Sequence, residues 1–519
     1  MSAGREEAAL HRGLHRHAIA RRFALRARQR MTPKFLLVVA TLVFGACSSA
    51  SPAEPGSPTG TAGNGNGGSA TGGNATGGSS VAGGGNQQMT AGTSNAGGVA
   101  QAGAGGSTTG GNATGGSSNG GSAQAGTGGA ATAGTSSGGG GSGGGGASGT
   151  SHWVGTWACA PQTTEQANLP PSPGLAGNTL RQMIHVSIGG TQLRLRLSNE
   201  YGTSPVTMSS VHVAVSKGGG AIDAATDKAL SFDGMPSLTL AAGKAAFSDS
   251  LAFNLAALSD LAVSIRFTSQ TGDVTGHPGS RTTSFLQTGD AVSTASLASG
   301  VKAEHWYFIT GLDVMADAAS AAIVVLGDSI TDGRGSTTDK NNRWPDILAK
   351  RLQANAATSK LGVLNMGIGG NAILSEGLGP TALQRFDHDV TQQSGARWLI
   401  VLEGVNDLGG GADVTSGLKD AYGTFISKAH AANMRAYGVP ILPIAGSSYA
   451  VGESTRKAVN DWIRTSKAFD AVIDLDAAVR DPATPDQLLA AYDSGDHLHP
   501  SAAGYQKMGE AVDLSLFAP

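Results

Sequence analysis

Gly327-Asp328-Ser329 places a serine just past the apolar run Ala321 to Leu326, which reads as a buried strand. A parallel sheet delivers its strands to a crevice beyond their carboxyl ends, a good position for a nucleophile. A serine hydroxyl forms almost no alkoxide at neutral pH, so it needs a base. An imidazole base in turn needs a carboxylate to hold its tautomer and stabilise the cation that forms. Residues 317–519 contain four histidines. His388 and His430 fall in helical patterns, His430 on a solvent-facing side. His497 and His499 lie in the loop Asp496-His497-Leu498-His499-Pro500, just before a last helix. Two more motifs follow apolar runs. Asn365-Met366-Gly367-Ile368-Gly369-Gly370-Asn371 is a glycine-rich turn able to present backbone N–H groups, and Gly404-Val405-Asn406-Asp407 is a short polar turn. Acyl transfer places charge on an oxygen, and donors at those turns could stabilise it.

Strands and helices in alternation must carry these motifs. Apolar runs predict strands at Ala321–Leu326, Gly362–Asn365, Trp398–Leu402, Ala436–Leu442 and Ala471–Leu475. Helical periods fit Pro345–Gln353, Thr381–Gln393, Ser416–Ala432 and Ser454–Ala468, with a last helix from Ser501 to about Leu514. Pro345 suits a first helical turn, and Ser454 and Ser501 suit N-caps. The expected fold class is α/β, a flavodoxin-like doubly wound parallel sheet with helices on both faces. All four motifs then meet at one edge of the sheet.

Residues 151–316 follow a different grammar. Leu193, Leu195 and Leu197 alternate with Arg194 and Arg196. The same two-residue period recurs through Val211, Val213 and Val215, and through Leu261, Val263, Ile265 and Phe267. That predicts an all-β sandwich or jelly roll. Arg194 and Arg196 are expected on a solvated strand face, and Trp153 and Trp157 over the core. Trp344 is expected to pack a helix onto the sheet.

Upstream, residues 47–150 are Gly, Ser, Ala, Thr and Asn with almost no charge, and hold much of the 80-glycine total. Thr71-Gly72-Gly73-Asn74-Ala75-Thr76-Gly77-Gly78 returns unchanged at 109–116. Such a tract buries too little apolar surface to offset the entropy of ordering it, and reads as a tether. Residues 1–46 read as a basic extension plus a signal peptide. Met31-Thr32-Pro33-Lys34 precedes the apolar run Phe35 to Phe44 and then Gly45-Ala46-Cys47. Met31 is the expected true start, because the eight arginines before it make an overlong n-region. Cys47 resembles the lipidated cysteine of a bacterial lipoprotein, with a cell-surface anchor as the expectation and plain secretion as the alternative. Without the signal and extension, 35 basic and 37 acidic residues become 26 and 35, so no basic footprint for nucleic acid remains. Cys159 then has no disulfide partner. His497 and His499 could suggest a zinc pair, but no further clustered His or Cys completes a site; neither metal nor cofactor is expected.

Taken together the motifs resemble the SGNH (GDSL-type) serine hydrolases. Gly327-Asp328-Ser329 matches block I, the turn ending at Gly370 matches block II, Gly404-Val405-Asn406-Asp407 matches block III, and Asp496-His497-Leu498-His499 matches block V. The resemblance implies Ser329 as nucleophile, His499 as general base and Asp496 as its partner. It also implies an oxyanion hole of the Ser329 and Gly370 N–H groups and the Asn406 amide. Gly327, Asp328, Gly404 and Asp407 would support the blocks, with Asp328 organising its turn; Asp332, Arg334 and Asp407 read as turn-stabilising. His152-Trp153-Val154-Gly155-Thr156-Trp157, Leu197-Ser198-Asn199-Glu200-Tyr201-Gly202 and Arg343-Trp344-Pro345-Asp346 extend the resemblance to members with an N-terminal β domain, which look like carbohydrate or aryl ester hydrolases. The implied activity is an exported esterase, O-deacetylating an extracellular carbohydrate. The alternatives are a lipolytic esterase or lysophospholipase with an acyl tunnel near Ala372 to Pro380, and a non-catalytic surface glycan-binding protein. Oligomeric state is not legible.

Overall fold

The computed structural model describes residues 151–518. The expectations for the basic extension, the signal peptide, the tether, Met31 and Cys47 lie outside the described residues.

Alternating apolar residues build the antiparallel half, residues 151–316. One sheet orders its strands His152–Ala158, Ile309–Ala316, Gly190–Asn199 and Leu251–Leu255. The spine of a second is Ser284–Thr288, Asn178–His185, Asp260–Ser269 and Val206–Gly218. Leu193, Leu195, Leu197, Val211, Val213, Val263 and Ile265 are all fully buried, as the two-residue period requires. A third, small sheet joins Trp306–Tyr307, Thr275–His277 and Gln162–Thr163. Trp157 enters the core edge-on to Trp306, as expected of a core tryptophan.

Arg194 and Arg196 depart from expectation. Their side chains are only 24% and 15% exposed, because their strand face turns toward the other half rather than toward water. Arg194 pairs with Asp313 and donates to Ser394 Oγ, while Arg196 lies 2.8 Å from His388 Nε2. Trp153 and Phe247 stack on the Arg194 guanidinium.

Five parallel strands form the other half: β1 Ala321–Gly327, β2 Leu361–Gly367, β3 Ala396–Leu402, β4 Arg435–Gly438 and β5 Ala471–Val472. Their spatial order is β2-β1-β3-β4-β5. The sequence therefore reverses direction on either side of β1, which opens a crevice beyond the carboxyl ends of β1, β2 and β3. The helices are α1 Ser329–Asp332, α2 Trp344–Gln353, α3 Ala382–Phe386, α4 Val405–Leu408, α5 Thr415–Ala431, α6 Glu453–Thr465, α7 Leu475–Val479 and α8 Ala502–Ala511. Trp344 is fully buried at the start of α2, and Ser501 caps α8 by accepting from the Gly504 N–H. Gly452 rather than Ser454 occupies the N-cap of α6.

Three element boundaries differ from expectation for local reasons. β4 stops at Gly438 because Pro440 cannot donate to a ladder. The apolar run continues off the sheet, where the Asn460 side chain bonds both the N–H and the C=O of Ile441. β5 is cut short where Asp474 caps α7. The helix expected over 381–393 widens into a π turn at Asp387–Thr391, where His388 bonds Asp389 beside it and Glu200 of the antiparallel half. No helix among the described residues is long and apolar enough to cross a membrane.

Candidate active site

Asp328 makes the block I turn. Its Oδ1 accepts from the Ile330 N–H at 2.8 Å and so caps α1, the single turn that begins with Ser329. Gly333 closes that turn in the left-handed region, at φ 99°. Ser329 follows the carboxyl end of β1 with 6% of its surface exposed. Its Oγ lies 2.8 Å from His499 Nε2, and His499 Nδ1 lies 2.7 Å from Asp496 Oδ2. The carboxylate accepts from Nδ1–H, which leaves Nε2 to accept the serine proton. Asp496 Oδ1 also accepts the backbone N–H of His499 at 2.8 Å, so the three-residue spacing shapes the loop as well as the pair.

The loop separates its two histidines. His497 adopts φ 60°, bonds Asp493 at 2.6 Å and leaves its side chain 59% exposed, whereas that of His499 is 8% exposed. Only His499 reaches the serine. Burial lowers the His499 pKa below that of a free imidazole, and the nearby Arg334 and Arg281 charges add to this, against the opposing pull of Asp496. Burial acts to raise Asp496, but the hydrogen bond and charge of His499 outweigh it and leave the carboxyl well below the usual range.

Two of the expected donor residues follow β2 and β3, the strands on either side of β1. Gly370 has φ 71°, a conformation that favours glycine, and Leu378 packs against its Cα. Asn406 lies on α4, behind Gly404 at φ 111°. Its Nδ2 donates to the Asn371 carbonyl at 2.7 Å. Asp407, next along, accepts the N–H groups of Ile373 and Leu374, both at 2.8 Å, and so anchors the loop that follows Gly370.

Residues without any recognisable motif hold this edge together. Buried Arg385 donates to Met366 O, Gly327 O, Asn371 Oδ1 and Asp389 Oδ2, which ties the ends of β1 and β2 to the glycine-rich turn. Its four-residue spacing from Asp389 on one helix face was the only available signal. Burial pushes Asp328 up to about 7 and Glu403, just before Gly404, well above its usual range. His277 comes from the antiparallel half and meets Asp332 on α1 at 2.9 Å. Tyr449 donates to Asn406 Oδ1 at 3.0 Å. Nothing in the sequence marked His277 or Tyr449. Among the described residues, no group of three or more His, Cys, Asp or Glu could hold a metal ion.

A hydroxyl, an imidazole and a carboxylate in hydrogen-bonded series, beside backbone and amide donors, can activate a nucleophile and stabilise an oxyanion. That is the equipment of an acyl-transfer enzyme. Residues 325–507 match the family model described as GDSL-like Lipase/Acylhydrolase family, and that segment is a hydrolase of the GDSL type. No curated protein matches the chain.

Among solved structures, the chain is similar to a carbohydrate acetylesterase from Sinorhizobium meliloti, at 13% identity and TM-score 0.32 over 38% of this chain and 99% of that one. It is similar to an acetylxylan esterase from Geobacillus stearothermophilus, at 18% identity and TM-score 0.29 over 37% of this chain and 93% of that one. A protein assigned to the lipolytic G-D-S-L family from Desulfitobacterium hafniense DCB-2 shares 22% identity at TM-score 0.30, over 37% of this chain and 97% of that one.

Proposed function

We infer that Ser329, His499 and Asp496 form the catalytic triad of a carboxylic esterase. The observation that carries this is the series Ser329 Oγ, His499 Nε2, His499 Nδ1, Asp496 Oδ2, with links of 2.8 and 2.7 Å. Ser329 Oγ bonds the ester carbonyl carbon as its proton passes to His499 Nε2. The carbonyl oxygen becomes an oxyanion, held by the Ser329 and Gly370 N–H groups and the Asn406 amide. Each such donor lowers the barrier by about 3 kcal/mol. Collapse breaks the bond to the alcohol, which leaves with the proton from His499. Water then repeats the steps on the acyl-enzyme and regenerates the serine.

The preferred substrate is a short acyl ester, an acetyl group on an extracellular carbohydrate. Leu378 packed on Gly370 supports a small acyl site, and Ile373 of the same loop turns into the core rather than lining a tunnel. The carbohydrate part rests on the resemblance and on the antiparallel half beside the site. A longer-chain lipolytic reading has Leu374, 37% exposed on that loop, in its favour. The order β2-β1-β3-β4-β5 supports a flavodoxin-like arrangement, and the two larger antiparallel sheets, contributing to one buried apolar cluster, support a sandwich. Two functional domains, 151–316 and 317–519, export and a lipid anchor at Cys47 belong to the same reading.

The test is hydrolysis of p-nitrophenyl esters from acetyl to palmitoyl, wild type beside Ser329→Ala. Activity confined to acetyl and lost in the variant supports the reading. A maximum at eight carbons or more favours the lipolytic alternative, and turnover by Ser329→Ala ends the triad assignment.

A further inference from the structure

We propose that Tyr449 is a positioning residue that locks the Asn406 side-chain amide in the one orientation able to donate to the oxyanion. The proposal rests on the reading of Asn406 as an oxyanion donor.

An asparagine amide has a donor end and an acceptor end of nearly equal size, so only its partners decide which way it points. Here both ends are held. The Asn371 carbonyl can only accept, and the group 2.7 Å from it is Asn406 Nδ2. The other end, Oδ1, lies 3.0 Å from Tyr449 Oη, which donates its proton to it. Nδ2 carries two hydrogens and Asn371 takes one, which leaves the second for substrate. Turned over, the amide would set its oxygen against the Asn371 carbonyl and against the developing oxyanion, two repulsive contacts in a low-dielectric site. The Asn371 contact alone opposes the flip; the tyrosine adds an attraction that exists only in the productive orientation.

Tyr449 is built into this place. Its N–H donates to Ser447 Oγ at 3.1 Å and its carbonyl accepts from the Gly452 N–H at 2.9 Å, which makes a tight turn ahead of α6. Its ring lies against Gly409, the residue that ends α4, so closely that a Cβ there would come within 2.8 Å of the ring. The tyrosine therefore touches both the amide and the end of the helix that carries it. Burial, with the Asp328 charge adding, raises its pKa, so the hydroxyl keeps the proton it donates across the neutral range.

The experiment measures kcat and KM for p-nitrophenyl acetate in wild type, Tyr449→Phe, Asn406→Ala and the double variant, with thermal unfolding of each. The phenyl ring preserves the packing on Gly409, so the melting temperature of Tyr449→Phe is expected to stay near wild type. Its kcat is expected to fall about tenfold with little change in KM, a smaller loss than the hundredfold or more that removal of an oxyanion donor costs. In the Asn406→Ala background, Tyr449→Phe is expected to change nothing further, because no amide remains to orient. An unchanged kcat in Tyr449→Phe, or an equal loss in both backgrounds, overturns the proposal while leaving the oxyanion reading intact. Full turnover by Asn406→Ala sinks the oxyanion reading itself, and the proposal with it. Replacement of Tyr449 by 4-aminophenylalanine returns a donor to the same place and is expected to bring kcat back toward wild type. Activity as low as that of the phenylalanine variant counts against the lock.

Discussion

His277 and Asp332 join the two halves of the protein at 2.9 Å, one turn of helix from Ser329. His277 Nδ1 faces the Ala160 carbonyl at 2.9 Å, which can only accept, so Nδ1 carries a hydrogen. Both side chains are almost wholly buried, and Gly279 packs against the Asp332 carboxylate so closely that no side chain would fit at that position. The imidazole also stacks on Trp306, with ring centroids 5.7 Å apart.

Loss of this pair is expected to be costly. His277→Ala leaves a buried carboxylate without its main partner, for which about 3 kcal/mol is the expected scale. Denaturant unfolding is the measurement. A midpoint within error of wild type would show that the antiparallel half does not brace α1 through this contact.

Ser329→Ala and His499→Ala are each expected to lower kcat by about 10⁴-fold or more, with folded yield unchanged. His497→Ala is expected to lose much less, since its side chain is exposed and bonds Asp493 rather than the serine. Esterase assays of the three variants decide the matter. A greater loss from His497→Ala would reverse the assignment of the base.

The acid limb of the pH profile should lie low. Attack requires neutral His499, and burial shifts this group to lower pKa, so its base form persists at more acid pH than that of a free imidazole. The kcat/KM of the wild type is expected to fall on acidification with a midpoint below about 6.5, the ordinary histidine value. A midpoint above that value contradicts the burial argument.

Asp328 gives a stability prediction with a defined sign. Burial raises its folded pKa to about 7, against about 3.9 for an unfolded aspartate. Between those values the unfolded chain has released a proton that the folded chain retains, so this group's contribution falls as pH rises. Asp328→Asn keeps an oxygen to accept the Ile330 N–H and removes the titration. Its melting temperature relative to wild type is therefore expected to increase from pH 4 to pH 7 and then to level off. A constant difference would show that Asp328 titrates alike in both states.

The α/β half was legible because its signals are local. Each strand is an apolar run, blocks I to III sit within a few residues of a strand end, and block V sits just before the last helix, so Ser329, Gly370, Asn406, Asp496 and His499 could be named before their geometry was known. Arg194 and Arg196 were misplaced on a solvated face for a matching reason. A two-residue period separates two faces but does not say what covers the outer one, and here the other half of the chain does.

By itself the sequence singled out the candidate nucleophile, donor and base motifs and the strands and helices that flank them, since these depend on short spacings and on hydrophobic period. Tertiary structure alone decided what holds them. Arg385 braces strand ends about 20 and 60 residues away, His277 reaches Asp332 across 55 residues, and Tyr449 meets Asn406 across 43. Such partners obey no period, because a buried polar group needs only a complementary atom within hydrogen-bond distance, and the chain can supply it from anywhere.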